Sequence, residues 1–91
     1  MCTQCPSCGR THYTSRRFRN AVCHSCLMSY PITDCSGDHI DYANFYGYLQ
    51  CRRPYDSGYK VCQNTDFYCR VGIVECMVTV TGDGSVTYVS C

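Results

Sequence analysis

Cysteine is the residue type with the clearest chemical potential in this chain, because eleven of its 91 residues are cysteines. Two pairs have CxxC spacing, Cys5 with Cys8 and Cys23 with Cys26, and fourteen residues separate the pairs. Four thiolates at this spacing close a tetrahedral zinc shell that has no open coordination position. The pattern therefore predicts one structural zinc site. Cys2 makes an equally good pair with Cys5, so either Cys2 or Cys8 could complete the shell.

The residues around these pairs resemble the zinc-ribbon and treble-clef zinc fingers. The resemblance is carried by Cys5-Pro6-Ser7-Cys8-Gly9-Arg10 and Val22-Cys23-His24-Ser25-Cys26, and it covers about the first thirty residues. Glycine after the second cysteine of a knuckle permits the tight turn that directs both sulfurs to one metal. The resemblance implies a ribbon or knuckle fold, and binding to nucleic acid or to another protein.

A second metal site is an open alternative further along the chain. Cys35 and His39 have metal-ligand spacing, and Cys51, Cys62 and Cys69 are candidates to complete the shell. In the competing interpretation, Cys35 and Cys51 are free thiols or a disulfide, and His39 is an exposed turn residue. Spacing alone does not decide between these interpretations. We therefore expect one zinc ion and leave a second one open.

One segment resembles the core of HNH-type nucleases. It runs from Asp38-His39-Ile40 through Asn44 to Leu49-Gln50-Cys51. The resemblance implies that His39 activates water while a second polar residue holds a divalent ion. Cys51 lacks a CxxC partner, because position 54 is Pro54. We therefore predict a non-enzymatic protein without catalytic residues, and keep the nuclease as a lesser alternative.

The charges are few and unevenly distributed. Residues 1–35 carry four arginines and one aspartate, a net charge of +3, whereas residues 36–91 carry four basic and six acidic side chains, a net charge of −2. The basic side chains near the N-terminus are candidates for contacts with nucleic-acid phosphates: Arg10, Arg16, Arg17 and Arg19. A dedicated duplex-binding protein normally has a stronger overall basic excess than +1.

Nine tyrosines, most of them in the middle of the chain, favour protein contacts, because tyrosine is enriched in contact surfaces. We therefore predict a small zinc-binding interaction module whose partner is a protein or larger assembly, with nucleic acid as an alternative through the N-terminal basic loop. The first alternative function is a minor structural protein of a capsid or other assembly, stapled by zinc or disulfides. The composition also resembles that of small cysteine-rich viral proteins.

The compartment follows from the cysteines and from the polar N-terminal residues. No apolar stretch resembles a signal peptide or a membrane span, so we expect an intracellular protein, in the cytoplasm or nucleus, or one within a virion. In a reducing compartment, clustered cysteines indicate metal ligands before disulfides.

The elements that position these residues are expected to form one small, zinc-stabilised, mostly β domain. A chain of this length with few large apolar residues needs metal or disulfide staples. Residues 1–34 are predicted to form a zinc ribbon or knuckle segment. After the second cysteine pair, the chain is predicted to continue as a short strand over 27–30. Residues 35–91 are predicted to be cysteine- and tyrosine-rich and to end in a β-hairpin. Residues 31–66 are expected to be irregular, with a short helix possible over 41–48.

The C-terminal hairpin is the clearest secondary-structure signal. Two β-branched runs flank Gly82-Asp83-Gly84, and Asp-Gly between such runs is a strong hairpin signal. A two-residue turn would place Cys76 opposite Cys91, at a separation that suits a disulfide or a shared metal. A three-residue turn would instead place Glu75 opposite Cys91.

Overall fold

Nine short strands form three antiparallel sheets in the part of the chain that the computed structural model describes, residues 2–13 and 19–91. The prediction of a mostly β protein is therefore confirmed. The strands are β1 (Cys2–Gln4), β2 (Thr11–Tyr13), β3 (Ile32–Thr33), β4 (Asp41–Phe45), β5 (Tyr48–Arg52), β6 (Lys60–Val61), β7 (Tyr68–Val71), β8 (Val74–Val80) and β9 (Val86–Ser90). One α-helix, α1 (His24–Ser29), and one 3₁₀ turn (Asn64–Phe67) complete the described elements.

The N-terminal segment contains a two-stranded sheet and the helix. Strands β1 and β2 pair so that Gln4 lies opposite Thr11. The short strand predicted over 27–30 is wrong, because helix α1 covers most of it. The amide of Leu27 donates to the carbonyl of Cys23 at 3.1 Å, which closes the first turn of the helix. The helix stops before Tyr30, which is extended because the following Pro31 disfavours a helical residue in front of it.

The middle of the chain is a regular three-stranded sheet in the order β4-β5-β6, so the predicted irregular segment and the helix over 41–48 are both wrong. Tyr46 and Gly47 join β4 to β5, and both have positive φ, 54° and 81°. A two-residue loop with positive φ at both positions is a type I′ turn, whose twist matches that of the paired strands. Side chains alternate across this sheet, with Tyr42 and Cys51 buried on one face.

The remaining strands form a four-stranded sheet in the order β3-β7-β8-β9, and its last two strands confirm the C-terminal hairpin. The two-residue turn, however, is wrong. Thr81 donates its amide to the carbonyl of Ser85 at 2.8 Å, which leaves three residues in the loop. Gly84 has φ +88°, the conformation that ends a three-residue hairpin loop.

The three-residue loop shifts the pairing of β8 with β9 by one residue. Cys76 lies opposite Ser90, and the amide of Cys91 donates to the carbonyl of Glu75 at 3.0 Å. The prediction that Cys76 lies opposite Cys91 is therefore wrong, and the alternative with Glu75 opposite Cys91 is the observed one.

The core joins the three-stranded and four-stranded sheets. The ring of Tyr42 in β4 meets the ring of Tyr88 in β9 edge to face, with 6.2 Å between their centroids. The N-terminal segment attaches to the same strand, since the amide of Val22 donates to the carbonyl of Tyr88 at 2.8 Å. The buried cluster consists largely of cysteines and small aliphatic side chains: Cys5, Val22, Cys23, Cys26, Ile40, Tyr42, Cys51, Cys69, Val71, Cys76, Val78 and Tyr88.

Candidate metal centre

Four thiols converge where the N-terminal hairpin meets helix α1. The sulfur atoms of Cys5, Cys8, Cys23 and Cys26 all lie within 4.8 Å of one another. Cys5 and Cys26 are 3.8 Å apart, and Cys8 and Cys23 are 3.7 Å apart, sulfur to sulfur. Four sulfurs at the usual zinc distance of about 2.3 Å would lie about 3.8 Å from one another. The four cysteines are therefore close enough to hold a metal ion.

The first pair lies in the loop that joins β1 to β2. The amide of Gly9 donates to the carbonyl of Cys5 at 2.8 Å, and the amide of Cys5 donates to the carbonyl of Arg10 at the same distance. Gly9 has φ +75°, a conformation that a residue with a Cβ adopts at a cost. This turn allows Cys5 and Cys8 to reach the same point from one short loop.

The second pair lies at the beginning of helix α1. Cys23 is the extended residue immediately before the helix, and Cys26 lies in its first turn. The amide of Cys23 also donates to the sulfur of Cys5 at 3.4 Å, a contact that links the two pairs directly. Both cysteines can face one point because residues three apart share a side of a helical turn.

The pKa values of Cys5 and Cys26 are shifted in opposite directions. Burial raises the pKa of Cys5, but hydrogen bonds from the backbone of Cys23, Cys8 and Ser7 outweigh it and lower the pKa to about 6. Burial, with a contribution from the neighbouring thiols, raises the pKa of Cys26 to about 12. Several thiolates cannot share this small volume without a cation, so a bound metal is what would allow the set to deprotonate together.

The donor set determines which chemistry the centre can perform. Four sulfur ligands in a tetrahedral arrangement suit zinc or iron. They leave no open position for water or substrate, so a metal held here would stabilise the fold. Cys2 is exposed in β1, opposite Tyr13, and the group of four contains Cys8 instead.

The structure does not gather Cys35, His39 and Cys51, the core of the second predicted set of ligands, at one point. In the described part of the chain, no metal-sized group of three or more ligand atoms includes Cys35, His39 or Cys51. A spacing of four residues would align Cys35 and His39 on a helix, but they lie on a turn that a bridge between Thr33 and His39 closes. Cys51 is buried in β5, where its sulfur lies 3.7 Å from a carboxylate oxygen of Asp66.

Six of the seven remaining thiols, all except Cys2, fall into two further groups. Cys62 lies beside β5, where its amide donates to the carbonyl of Leu49 at 3.2 Å, two residues before Cys51, and burial is the main reason that the pKa of Cys62 rises to about 12. Cys76 and Cys91, although not opposite each other, line one cavity of about 170 Å³ together with Cys35 and Cys69. Burial, followed by the charges of these three neighbours, raises the pKa of Cys69 to about 12.

The structure describes two of the four arginines that are predicted to contact nucleic acid. Arg10 and Arg19 are exposed, as is the neighbouring Tyr13. Arg16 and Arg17 lie outside the described residues.

The residues of the nuclease hypothesis do not form one site in the described structure. His39 lines a cavity of about 210 Å³ together with Asp41 and Arg52, which form an ion pair at 3.2 Å. Asn44 does not line this cavity, because its side-chain amide donates to the carbonyl of Gly84 at 3.2 Å.

An aromatic surface on the three-stranded sheet is the feature that sequence reasoning missed. Phe45 and Tyr48 lie opposite each other on its outer side, and both are exposed. The ring of Phe45 meets that of Tyr59 at 5.3 Å, and the guanidinium of Arg52 lies 5.1 Å from the Tyr59 ring centroid. Tyr46, at the tip of the turn, is 98% exposed. We call Phe45, Tyr46, Tyr48 and Tyr59 the aromatic face. The signal in the sequence was the alternation within β4 and β5.

No protein-family model, no curated protein and no solved structure matches this chain. Within residues 2–13 and 19–91, no helix combines the length and the apolar character that crossing a membrane requires.

Proposed function

We propose that this protein is a small, non-enzymatic interaction module in which Cys5, Cys8, Cys23 and Cys26 hold a structural zinc ion. Zinc is favoured because it binds four thiolates in a closed tetrahedral shell and does not undergo redox change. A knuckle in a hairpin loop, followed by a second cysteine pair at the beginning of a helix, supports the resemblance to zinc-ribbon and treble-clef proteins. The metal would tie together segments that share little apolar core.

The observation that carries the proposal of partner binding is the aromatic face. Large exposed aromatic side chains on one side of a sheet are typical of surfaces that bind another molecule. Tyr46 adds a second argument, because it is a bulky residue with positive φ at an exposed tip. Such a conformation has an energetic cost of about 1 kcal/mol or more, and residues that retain it cluster at functional positions.

The charges around the aromatic face favour a protein partner. Arg52 is paired with Asp41 at 3.2 Å, and Lys60 is paired with Asp56 at 3.2 Å, so neighbouring charges of opposite sign balance each other. A surface that tracks a nucleic-acid backbone requires a net excess of positive charge. Aromatic side chains combined with arginine are instead enriched at the centres of protein interfaces.

Affinity capture with matched variants tests this proposal. The zinc-loaded protein, the double variant Tyr46→Asn/Tyr48→Ser and the control Ile73→Ser are compared for the proteins they retain from nuclease-treated lysate. Ile73 is a suitable control, because it is 96% exposed at the tip of a turn in the other large sheet. We expect a protein that the wild type and Ile73→Ser retain and that the double variant loses, with direct binding reproduced by the purified partner.

Equal capture by the wild type and the double variant would contradict a role for the aromatic face. The metal is tested separately, because a chelator should abolish both the bound zinc and the fold of the N-terminal segment. Persistence of the amide chemical shifts of that segment after complete zinc removal would contradict a structural metal.

The exposed Arg10, Arg19 and Tyr13 favour a second candidate function, binding of single-stranded nucleic acid. Its signature is binding of an oligonucleotide that weakens steeply with salt and that is lost in Arg10→Ser/Arg19→Ser. The aromatic-face double variant should leave that binding unchanged.

A further inference from the structure

Four cysteines from separate parts of the chain meet at one cavity of about 170 Å³. Cys35 comes from the turn between β3 and β4, Cys69 from β7, Cys76 from β8, and Cys91 follows β9. Together with the first metal group and the neighbouring pair Cys51–Cys62, they account for ten of the eleven cysteines. Of the five cysteines outside those two groups, only Cys2 does not line this cavity.

The two strand cysteines form a rigid pair. Cys69 lies directly opposite Cys76 in the antiparallel ladder, and both side chains are buried. Opposite residues in such a ladder have Cβ atoms about 4.5–5.5 Å apart, so both side chains point to the same side of the sheet. This pair offers two sulfurs from a backbone that cannot easily move.

The two other cysteines lie at the rim of the cavity, outside the strands. Cys35 belongs to a turn that the side chain of Asp34 holds, since its carboxylate accepts the amides of Ser36 and Asp38 at 2.9 and 3.0 Å. Cys91 is held by the hydrogen bond that its backbone amide donates to the carbonyl of Glu75. Both thiols are exposed, so rotating either of them toward the strand pair gives up no buried contact.

We infer that Cys35, Cys69, Cys76 and Cys91 form a second zinc site, independent of the first. Four thiolates around a cavity are the donor set that zinc prefers for a closed structural shell. In the described structure these sulfurs are farther apart than those of the first site, so binding would draw Cys35 and Cys91 inward. The ion would fasten the β3–β4 turn and the end of β9 to the four-stranded sheet.

Packing alone explains only half of this arrangement. A buried free cysteine behaves as a small apolar side chain, which would account for Cys69 and Cys76. It does not account for Cys35 and Cys91, which are exposed and add nothing to the core. A bound zinc ion would give their presence at the rim a function.

Native mass spectrometry of the full chain, purified under reducing conditions and loaded with zinc, tests the inference by counting ions. We expect two zinc ions in the wild type and one in Cys35→Ser/Cys91→Ser. Cys8→Ser should also retain one ion, whereas the exposed Cys2→Ser is the matched control and should retain two. A single ion in the wild type that Cys8→Ser loses, or two ions in Cys35→Ser/Cys91→Ser, would overturn the second site. Two ions in Cys8→Ser would instead contradict the first site, so the two failures are distinguishable.

Cobalt titration gives an independent measurement if the double variant folds poorly. The sulfur-to-cobalt charge-transfer absorption of the wild type should rise with similar slope up to two equivalents. In the single variant Cys91→Ser the second equivalent should add less absorption than the first. Saturation of the wild type at one equivalent would refute the inference. A disulfide between Cys69 and Cys76 or between Cys35 and Cys91 would also refute it, if that disulfide persists in the reduced, zinc-loaded protein. It would lower the mass of the chain by two daltons, and peptide mapping would locate it.

Discussion

Two adjacent arginines provide a matched test of what stabilises the folded chain. Arg53 bridges two carboxylates, donating to Asp34 at 3.2 Å and to Asp66. The three side chains are only 21%, 13% and 8% exposed. Arg52 instead pairs with Asp41 at 3.2 Å, with side chains that are 46% and 63% exposed. We predict that Arg53→Met destabilises the protein much more than Arg52→Met does.

The expected difference follows from burial. Removing one partner of a buried ion pair leaves an uncompensated charge and costs about 3–5 kcal/mol. Asp66 would keep some compensation, because it also accepts the amide of Gln63 at 3.0 Å, so we expect the lower end, about 3 kcal/mol. Loss of the exposed pair and of the contact of Arg52 with Tyr59 should cost about 1 kcal/mol in total. The difference is therefore about 2 kcal/mol.

Urea unfolding of the zinc-loaded variants measures this difference. With a slope of about 1 kcal/mol per molar urea, the midpoint of Arg53→Met should lie about 2 M below that of Arg52→Met. Arg53→Lys should fall between Arg53→Met and wild type, because lysine keeps the charge but cannot bridge both carboxylates as a planar fork. Equal midpoints for the two methionine variants, with unchanged slopes, would refute the assignment of the buried network as the stronger element.

Three further predictions concern single residues. Tyr46→Asn should raise the free energy of unfolding by about 0.5–1 kcal/mol in thermal denaturation, because asparagine tolerates positive φ; a lower melting temperature would contradict this. Gly84→Ala should cost about 1–2 kcal/mol, since φ is +88° and the new Cβ would lie 3.3 Å from the Asn44 amide. Gly82→Ala, which meets nothing within 4 Å, is the control, and equal urea midpoints would disprove the three-residue loop. Burial raises the pKa of Asp34, but backbone and arginine hydrogen bonds outweigh it and lower the pKa below 3.8. The ionised carboxylate therefore stabilises the fold above that pH. The difference in free energy of unfolding between the wild type and Asp34→Asn should decrease as the pH falls below it, and a difference that does not change with pH would contradict this prediction.

The features that the sequence predicts correctly are local. Spacing within Cys5–Cys8 and within Cys23–Cys26 is enough to bring each pair to one point, because a knuckle turn and a helical turn are built from neighbouring residues. The C-terminal hairpin is equally local, since two β-branched runs flank a glycine-rich loop. Only the choice of Cys8 over Cys2 required the structure.

The features that the sequence does not predict depend on turn details or on distant pairing. The side chain of Asp83 accepts the amide of Ser85 at 3.0 Å, and this contact together with Gly84 selects three loop residues instead of two. The three-stranded sheet was missed because its first turn, Tyr46-Gly47, lacks the Asn-Gly or Asp-Gly pair that usually marks a type I′ turn. Only its observed φ of 54° identifies Tyr46 as a turn residue.

The approach of Cys35 to Cys69 and Cys76 also depends on pairing between distant parts of the chain. It requires β3 to pair with β7, so that Ile32 lies opposite Val71 across almost forty residues of intervening chain. No spacing rule connects residues that meet through the order of strands in a sheet. The spacing of Cys35 with His39 is a local pattern, and in the described residues it does not correspond to a compact group of ligand atoms.

The distribution of polar and sulfur contacts explains how so small a chain can hold three sheets. The two-stranded sheet is too small to be stable alone, and each of the three sheets contains at least one group of contacts that joins distant segments. The two-stranded sheet has the group of Cys5, Cys8, Cys23 and Cys26. The three-stranded sheet has the Arg53 network and the Cys51–Cys62 pair, and the four-stranded sheet has the cysteines around the 170 Å³ cavity. If these groups replace a large core, losing any one of them should loosen its own sheet first. Hydrogen exchange of Arg53→Met and of Cys35→Ser/Cys91→Ser should therefore show increased rates in different sheets, whereas the same global increase in both would indicate a single cooperative core.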